Sequence, residues 1–208
     1  MPDLLLIPTG AEQEILLPRL QVSIAAAGLQ VELVGFGPIA AAARTADLIA
    51  KHQPKRVSLI GIGGTYGGWV TIGNAVCFSQ VTCDGIGDGQ GDTHVSSDDM
   101  GWPMIASPEI GGAIQLVDES SHHLLTVCPA SGDASVAERR KKLFPNAAVE
   151  DMEGFGVAVS CKLAGVDLSI IRGVSNCVGD RDPNNWHVEL ALHAAADLAK
   201  RLWFGDVK

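Results

Sequence analysis

The sequence predicts an α/β fold built on a buried sheet. Three observations carry this. Short, largely apolar runs recur at Leu4–Ile7 and residues 168–171, as in strands covered on both faces. Between such runs lie stretches with apolar residues at helical spacing. Glycine, proline and clustered polar residues stand at the joints.

Leu4–Ile7 reads as a first strand and Pro8-Thr9-Gly10 as its turn. A helix follows with Leu16, Leu20, Ile24 and Ala27 on one stripe. Glu12 lies one turn before Leu16 on that stripe, at the mouth of the strand, while Glu14 points away. An acid there also suits a helix start. Residues 31–34 read as a second strand, broken by Gly35-Phe36-Gly37-Pro38, and the alanine-rich residues 39–51 as a helix closed by Pro54.

Residues 56–60 lead into Gly61-Ile62-Gly63-Gly64-Thr65-Tyr66-Gly67-Gly68. This is no dinucleotide fingerprint: position 66 is Tyr where G-x-G-x-x-G needs Gly, and residues 69–81 look extended, not helical. The cluster reads as a tight strand-to-strand connection that lets backbone approach a ligand closely. Residues 81–103 form a long polar stretch with Asp84, Asp88, Asp92, His94, Asp98 and Asp99. Their spacing fits no calcium loop, so solvated turns are expected, in a loop long enough to be a lid or subunit contact. Residues 110–116 are a short helix or strand. His122 and His123 adjoin, and in a strand would face opposite ways, as poor joint ligands. Residues 124–127 read as a strand, residues 128–133 as a loop, and residues 135–144 as a surface helix with Glu138-Arg139-Arg140-Lys141-Lys142 as a solvated face.

The densest chemistry lies in residues 149–182. A strand end is followed by Glu150, Asp151 and Glu153, acids that suit a helix start. Phe155, Val159 and Leu163 recur at helical spacing, and Gly165 stops the helix. The strand at 168–171 is followed by Arg172, Ser175, Asn176, Asp180, Arg181 and Asp182, at the carboxyl end, where open α/β sheets place ligands. Beyond Trp186 a last helix carries Leu190, Ala194, Leu198 and Leu202 on one face. His187 and His193 are six apart, which is not ligand spacing.

The length of 208 residues suits one domain, and 47% hydrophobic residues can bury a substantial core. A net charge of −9 argues against nucleic acid and anionic membrane as partners. The five cysteines are odd in number and lack a C-x-x-C pair, so reduced, mostly buried thiols are expected, in a cytoplasmic protein. The opening residues carry an acid and no basic residue before Pro8, unlike a signal peptide, and no apolar run has membrane-spanning length. No metal and no cofactor are expected.

Asp151-Met152-Glu153-Gly154, with Ile171-Arg172-Gly173-Val174-Ser175-Asn176, resembles the nucleoside phosphorylase and nucleosidase superfamily. Within it, Asn176-Cys177-Val178-Gly179-Asp180-Arg181-Asp182 with Trp186 resembles the futalosine hydrolase family of menaquinone biosynthesis. The resemblance is specific in this stretch and weaker over nearly all the rest. It implies one three-layer α/β/α domain over residues 1–208 with a central mixed β-sheet, nucleoside phosphorylase/hydrolase-like. It implies a small-molecule nucleoside substrate and a homo-oligomer, a dimer or higher.

The resemblance also implies roles. Thr9-Gly10-Ala11-Glu12 matches a Thr-x-x-Glu whose glutamate is the general base, with Glu14 as the alternative register. Glu153 would accept the ribose hydroxyls and steady the sugar as it turns cationic, and Met152 would pack on the ribose. Gly63 and Gly64 would contact the nucleoside through backbone. Arg172 would orient Glu12 or the water, or be a simple structural ion pair.

Asn176 stands where adenine-specific nucleosidases carry Asp. An amide accepts from a protonated N7 and donates to a carbonyl at position 6, which matches a 6-oxopurine such as hypoxanthine. Phosphorylases of the hexameric bacterial type resemble Arg-x-Gly-Ser where this chain has Leu59-Ile60-Gly61-Ile62. Neither Leu59 nor Ile62 holds phosphate, so water is the expected attacking group. The Ser that related nucleosidases use near the water is lost too. The expected activity is hydrolysis of the N-ribosidic bond of futalosine. The alternatives are a methylthioadenosine/S-adenosylhomocysteine-type nucleosidase, a phosphate-dependent purine nucleoside phosphorylase, or a silent nucleoside-binding protein.

Overall fold

Strand β1 (Leu4–Ile7) is buried at all four positions, and its side chains alternate between two cores. Leu4 and Leu6 face one, Leu5 and Ile7 the other, as the two-residue period of a strand requires. Thr9 then caps α1 (Gly10–Ala27) in a reciprocal capping box with Glu12. The chain continues through β2 (Gln30–Leu33), α2 (Pro38–His52) and β3 (Arg56–Thr65). Next come β4 (Ala75–Cys77), β5 (Gln80–Asp84), β6 (Gly87–Asp88), β7 (Val95–Ser96), β8 (Ala113–Gln115) and β9 (His123–Val127). It closes with α3 (Ala134–Leu143), β10 (Ala147–Asp151), α4 (Gly154–Ala164), β11 (Asp167–Cys177) and α5 (Val188–Ala199). The computed structural model describes residues 3–68, 70–89, 91–102 and 112–205.

Among the described residues, the main sheet runs β2-β1-β3-β10-β9-β5-β8, with β11 paired to β3 and β4 to β11. β1 is parallel to β2 and β3, β11 to β3, and β9 to β10 and β5. β10 is antiparallel to β3, β4 to β11 and β8 to β5, so the sheet is mixed. One core gathers residues of α2 and α4, including Leu48, Phe155 and Cys161. The other gathers residues of α1 and α5, including Leu16, Leu20 and Leu192. These are the two helical layers of a three-layer α/β/α fold.

Several expectations change. β3 does not end at Ile60 but runs through Gly61, Gly63 and Gly64 to Thr65, so most of the cluster is strand and only residues 66–68 belong to the connection. The segment expected to be extended before β5 contains a turn at residues 71–74. The polar loop expected from residue 81 begins as the core strand β5, and β6 and β7 pair as a short ribbon. Ala113–Gln115 is a strand, while residues 110 and 111, like residues 103–109, lie outside the described residues.

Three predicted helix faces also shift. In α1, Ser23 is buried and Ala27 is exposed. In α4, Leu163 is 60% exposed while Val157, Ala158 and Cys161 are buried. In α5, Leu190 points outward and the buried face is Ala191, Leu192, Ala195, Ala196 and Ala199; Leu202 is exposed too, but lies beyond α5 in a π-helical turn at Lys200–Phe204. Close approach is the reason: a Cβ on Gly173 of β11 would collide with the Ala191 carbonyl. Small residues such as Ala191 and Ala195 let α5 lie directly on the strand, while Leu192 joins the core with Leu16 and Leu20. Arg140, expected on a solvated face, is 4% exposed. Cys128 and Cys177 are exposed, contrary to mostly buried thiols, and all five cysteines are free.

Candidate active site

A cavity of about 440 Å³ opens at the carboxyl ends of the central strands. Ile62, Gly63 and Gly64 of β3, Glu150 and Asp151 of β10, and Ser175 and Asn176 of β11 line it. Glu12, Phe36, Ser131, Met152, Glu153, Arg181 and Trp186 complete much of the wall. Gly64 pairs with Glu150 on one side and Asn176 on the other. The two polar residues thus flank a floor with no side chain of its own.

Glu12 is 7% exposed and its carboxylate is fixed from both sides. One oxygen accepts from the Thr9 amide at 3.0 Å and the Thr9 hydroxyl at 2.7 Å. The other accepts from the Ile62 amide at 3.0 Å. Glu14 is exposed and does not line the cavity. The capping box explains the difference: only the third helical residue can reach back to the cap.

Glu153 sits at the start of α4, with one oxygen accepting from the Gly37 amide at 3.0 Å. Arg172 Nη2 lies 3.4 Å from its other oxygen. Burial pushes the Glu153 carboxyl up to about 7; Arg172 pulls it down and Asp151 pushes it further up.

Arg172 is fully buried. It donates from Nε and Nη2 to Asp151 at 3.0 and 2.7 Å. Asp151 is in turn held by the Thr126 hydroxyl at 2.6 Å and the Gly154 amide at 2.9 Å. Burial alone would lower the Arg172 pKa, but Asp151, Glu153 and Glu12 outweigh it and raise it. Of the two expectations for Arg172, the geometry shows the ion pair: it does not line the cavity and stands behind the wall, against Asp151 and Glu153. Its Nη1 has no hydrogen-bond partner and faces the place where a Cβ on Gly61 would also meet Glu12 Oε1.

Asn176 is 8% exposed with its amide oriented. Oδ1 accepts from the Ser175 hydroxyl at 2.8 Å and Nδ2 donates to the Cys177 carbonyl at 2.8 Å. One N–H and one lone pair stay free for a ligand. Met152 lines the cavity and packs against the cluster of Leu125, Val127 and Ala147.

One network was not foreseen. Glu150 Oε2 accepts from the Tyr66 hydroxyl at 2.7 Å, the Ser131 hydroxyl at 2.7 Å and Arg140 Nη1 at 3.2 Å. Its Oε1 accepts from the Ser131 amide at 2.8 Å. Arg140 also donates from Nε to Asp84 at 2.8 Å. Burial, with Glu150 beside it, raises the Tyr66 hydroxyl pKa. The available signal was Ala137, three residues before Arg140 and on the same inward helix face. Among the described residues, no group of three His, Cys, Asp or Glu side chains is placed to hold a metal ion. No described helix is long and apolar enough to cross a membrane.

The model of the Phosphorylase superfamily matches residues 6–203. The chain belongs to that superfamily. Within the superfamily, the futalosine hydrolase of Streptomyces coelicolor is 29% identical over 184 residues, covering 84% of this chain and 78% of that one. Among solved structures, a 5′-methylthioadenosine/S-adenosylhomocysteine nucleosidase from Colwellia psychrerythraea in complex with adenine superposes with a TM-score of 0.75 at 18% identity. That match covers 96% of this chain and 93% of that one. A futalosine hydrolase mutant of Helicobacter pylori gives a TM-score of 0.72 at 15% identity, covering 96% and 97%. At these identities the solved structures establish the superfamily fold.

Proposed function

We propose that this chain is an N-glycosyl hydrolase that cleaves the N-ribosidic bond of futalosine, releasing hypoxanthine and dehypoxanthine futalosine for menaquinone biosynthesis. One observation carries the site reading: Glu12, Glu153 and Asn176, from three separate elements, line the same cavity. Kinship with futalosine hydrolases over most of the chain supports the substrate.

Cleavage builds positive charge on the ribose and electrons on the base, and a catalyst must stabilise both. Ionised Glu153 accepts the ribose hydroxyls and balances the cationic sugar. Met152 packs on the ribose, and the Gly63 and Gly64 backbone forms the floor beneath the nucleoside. Glu12, pinned by Thr9 and Ile62, orients a water on the open face of the sugar and takes its proton. As the departing base takes a proton from solvent at N7, Asn176 accepts from that N7–H through Oδ1 and donates to the 6-carbonyl through Nδ2. Arg172 positions Asp151 and Glu153 from behind and touches neither substrate nor water.

Water is the attacking group. Leu59 is fully buried in the core and Ile62 offers the cavity an apolar side chain, so neither neutralises phosphate. An adenine-specific nucleosidase fits less well, because the free Asn176 N–H would face the 6-amino group donor to donor. The chain acts as a single cytoplasmic domain that assembles into a homo-oligomer. The test is incubation with futalosine, inosine and methylthioadenosine, with and without inorganic phosphate, followed by detection of free base. Hypoxanthine from futalosine without phosphate is the expected result. An intact glycosidic bond after long incubation overturns it.

A further inference from the structure

Arg181 is the one cation among the described residues that line the cavity; the other charged lining groups are Glu12, Glu150, Asp151 and Glu153. Asp151 and Glu150 already pair with the buried Arg172 and Arg140. Arg181 has no hydrogen-bond or ion-pair partner among the described residues. Its guanidinium rests on the Trp186 ring, 5.0 Å from the centroid. Trp186 is itself fixed, donating from Nε1 to the Asp180 carbonyl at 3.1 Å.

The two acids flanking Arg181 in sequence form no ion pair with it; both carboxylates are engaged by amides of their own loop. Asp180 accepts from the Asp182 amide at 2.9 Å and from Asn185 Nδ2 at 2.8 Å. Asp182 accepts from the Asn184 amide at 3.0 Å. The loop therefore presents an unpaired guanidinium on an aromatic shelf. Phe36, 68% exposed, lines the same cavity together with Ile15 and Val188. A free cation among apolar and aromatic groups matches a ligand that is both flat and anionic.

We propose that Arg181 and Trp186 seat an aryl carboxylate at the end of the substrate's sugar-borne tail. The guanidinium fork takes the carboxylate in paired hydrogen bonds, and Trp186 and Phe36 pack on the aryl ring. This rests on the nucleoside reading above and deepens it: futalosine carries a benzoate-bearing tail, and these residues choose it over tailless nucleosides of the same base. Inorganic phosphate shares the anionic chemistry but lacks the ring.

The experiment measures hypoxanthine release from futalosine and from inosine, by the full chain and by Arg181→Met, Arg181→Lys and Trp186→Leu. Inorganic phosphate is present or absent throughout. Arg181→Met is expected to lower the ratio of kcat/KM for futalosine over inosine on the order of tenfold or more. The drop should lie mainly in a raised KM for futalosine. Lysine should restore the ratio in part, as a point charge without the fork, and Trp186→Leu should lower it too. A ratio unchanged in Arg181→Met overturns the inference, as does a wild-type chain that cleaves inosine as well as futalosine. Both leave the nucleosidase reading standing. Turnover that needs phosphate, with the need altered in Arg181→Met, assigns Arg181 to phosphate and also overturns it. If no nucleoside is cleaved, the parent reading falls and takes this one with it.

Discussion

A Cβ on Gly61 would collide with Nη1 of Arg172. The same atom would lie 2.7 Å from Glu12 Oε1, so a bare strand position separates the buried cation from the general base. Gly61→Ala should force one of them aside, at about 1–3 kcal/mol of stability, the usual range for overpacking. Turnover should fall further than stability accounts for, because Glu12 moves. Urea denaturation and steady-state release of base, measured together, check both.

Glu12 and Glu14 stand two residues apart with opposite environments. Glu12→Gln removes the proton acceptor and should lower kcat by about 10²–10⁴-fold, the usual span for a general base. Glu14→Gln, on the solvent side, should stay within roughly twofold of wild type, as an exposed change distant from the chemistry. The reverse order would move the base to Glu14.

Burial pushes the Glu153 carboxyl from its ordinary 4.5 up to about 7 in the folded chain. Two pH effects follow. The ionised form steadies the sugar cation, so kcat/KM should rise with pH through about 7. For stability the sign is opposite: the folded state holds this proton more tightly than the unfolded one. Its favourable contribution is greatest below 4.5, declines as pH rises to about 7, and is flat above. Glu153→Gln should lose activity yet gain stability relative to wild type at pH 8, with the gap closing towards pH 4.5. A gap independent of pH would contradict the shift.

Asn176→Asp places a carboxylate oxygen where Nδ2 now donates to the Cys177 carbonyl at 2.8 Å. Two acceptors then face each other, and the N–H that suits a 6-carbonyl is gone. Cleavage of 6-oxopurine nucleosides should fall about tenfold or more, the scale of a lost specific hydrogen bond. The preference for 6-amino substrates should rise in relative terms. Paired kcat/KM values for inosine and methylthioadenosine test this; an unchanged ratio removes Asn176 from base recognition.

Arg140→Met leaves Asp84 and Glu150 buried and without their shared cation. Breaking such a pairing from one side costs about 3–5 kcal/mol. Denaturant midpoints for the variant and wild type at neutral pH give the number. A loss below about 1 kcal/mol, the scale of an exposed pair, would mean that solvent reaches the cluster.

The strands at the centre were legible because burial on both faces needs an uninterrupted apolar run, as in Leu4–Ile7. The helix faces were not. Leu190 and Leu202 look like the inward stripe of the last helix, yet both are exposed, and the buried face of α5 is Leu192 with four alanines, lying so close to β11 that Gly173 has no room for a Cβ. Arg140 looked solvated because its partner Asp84 lies 56 residues earlier, and a charge run does not announce a distant carboxylate. At the site, the superfamily resemblance pointed to Glu12, Glu153 and Asn176. It did not reveal that Arg172 lies behind the wall, because depth beneath a strand leaves no mark in spacing.

The floor of the cavity is the middle of the sheet: β3, β10 and β11 meet at Gly64. Cutting the bond and holding the molecule together are therefore tasks of the same few positions, and alterations there disturb both at once. The margins around Phe36 and Arg181 belong to loops outside the ladders, whereas Ser131, though in a loop, is tied to Glu150 and Arg140. A designer wishing to redirect this scaffold towards another nucleoside has that periphery to work with, and should leave the centre alone.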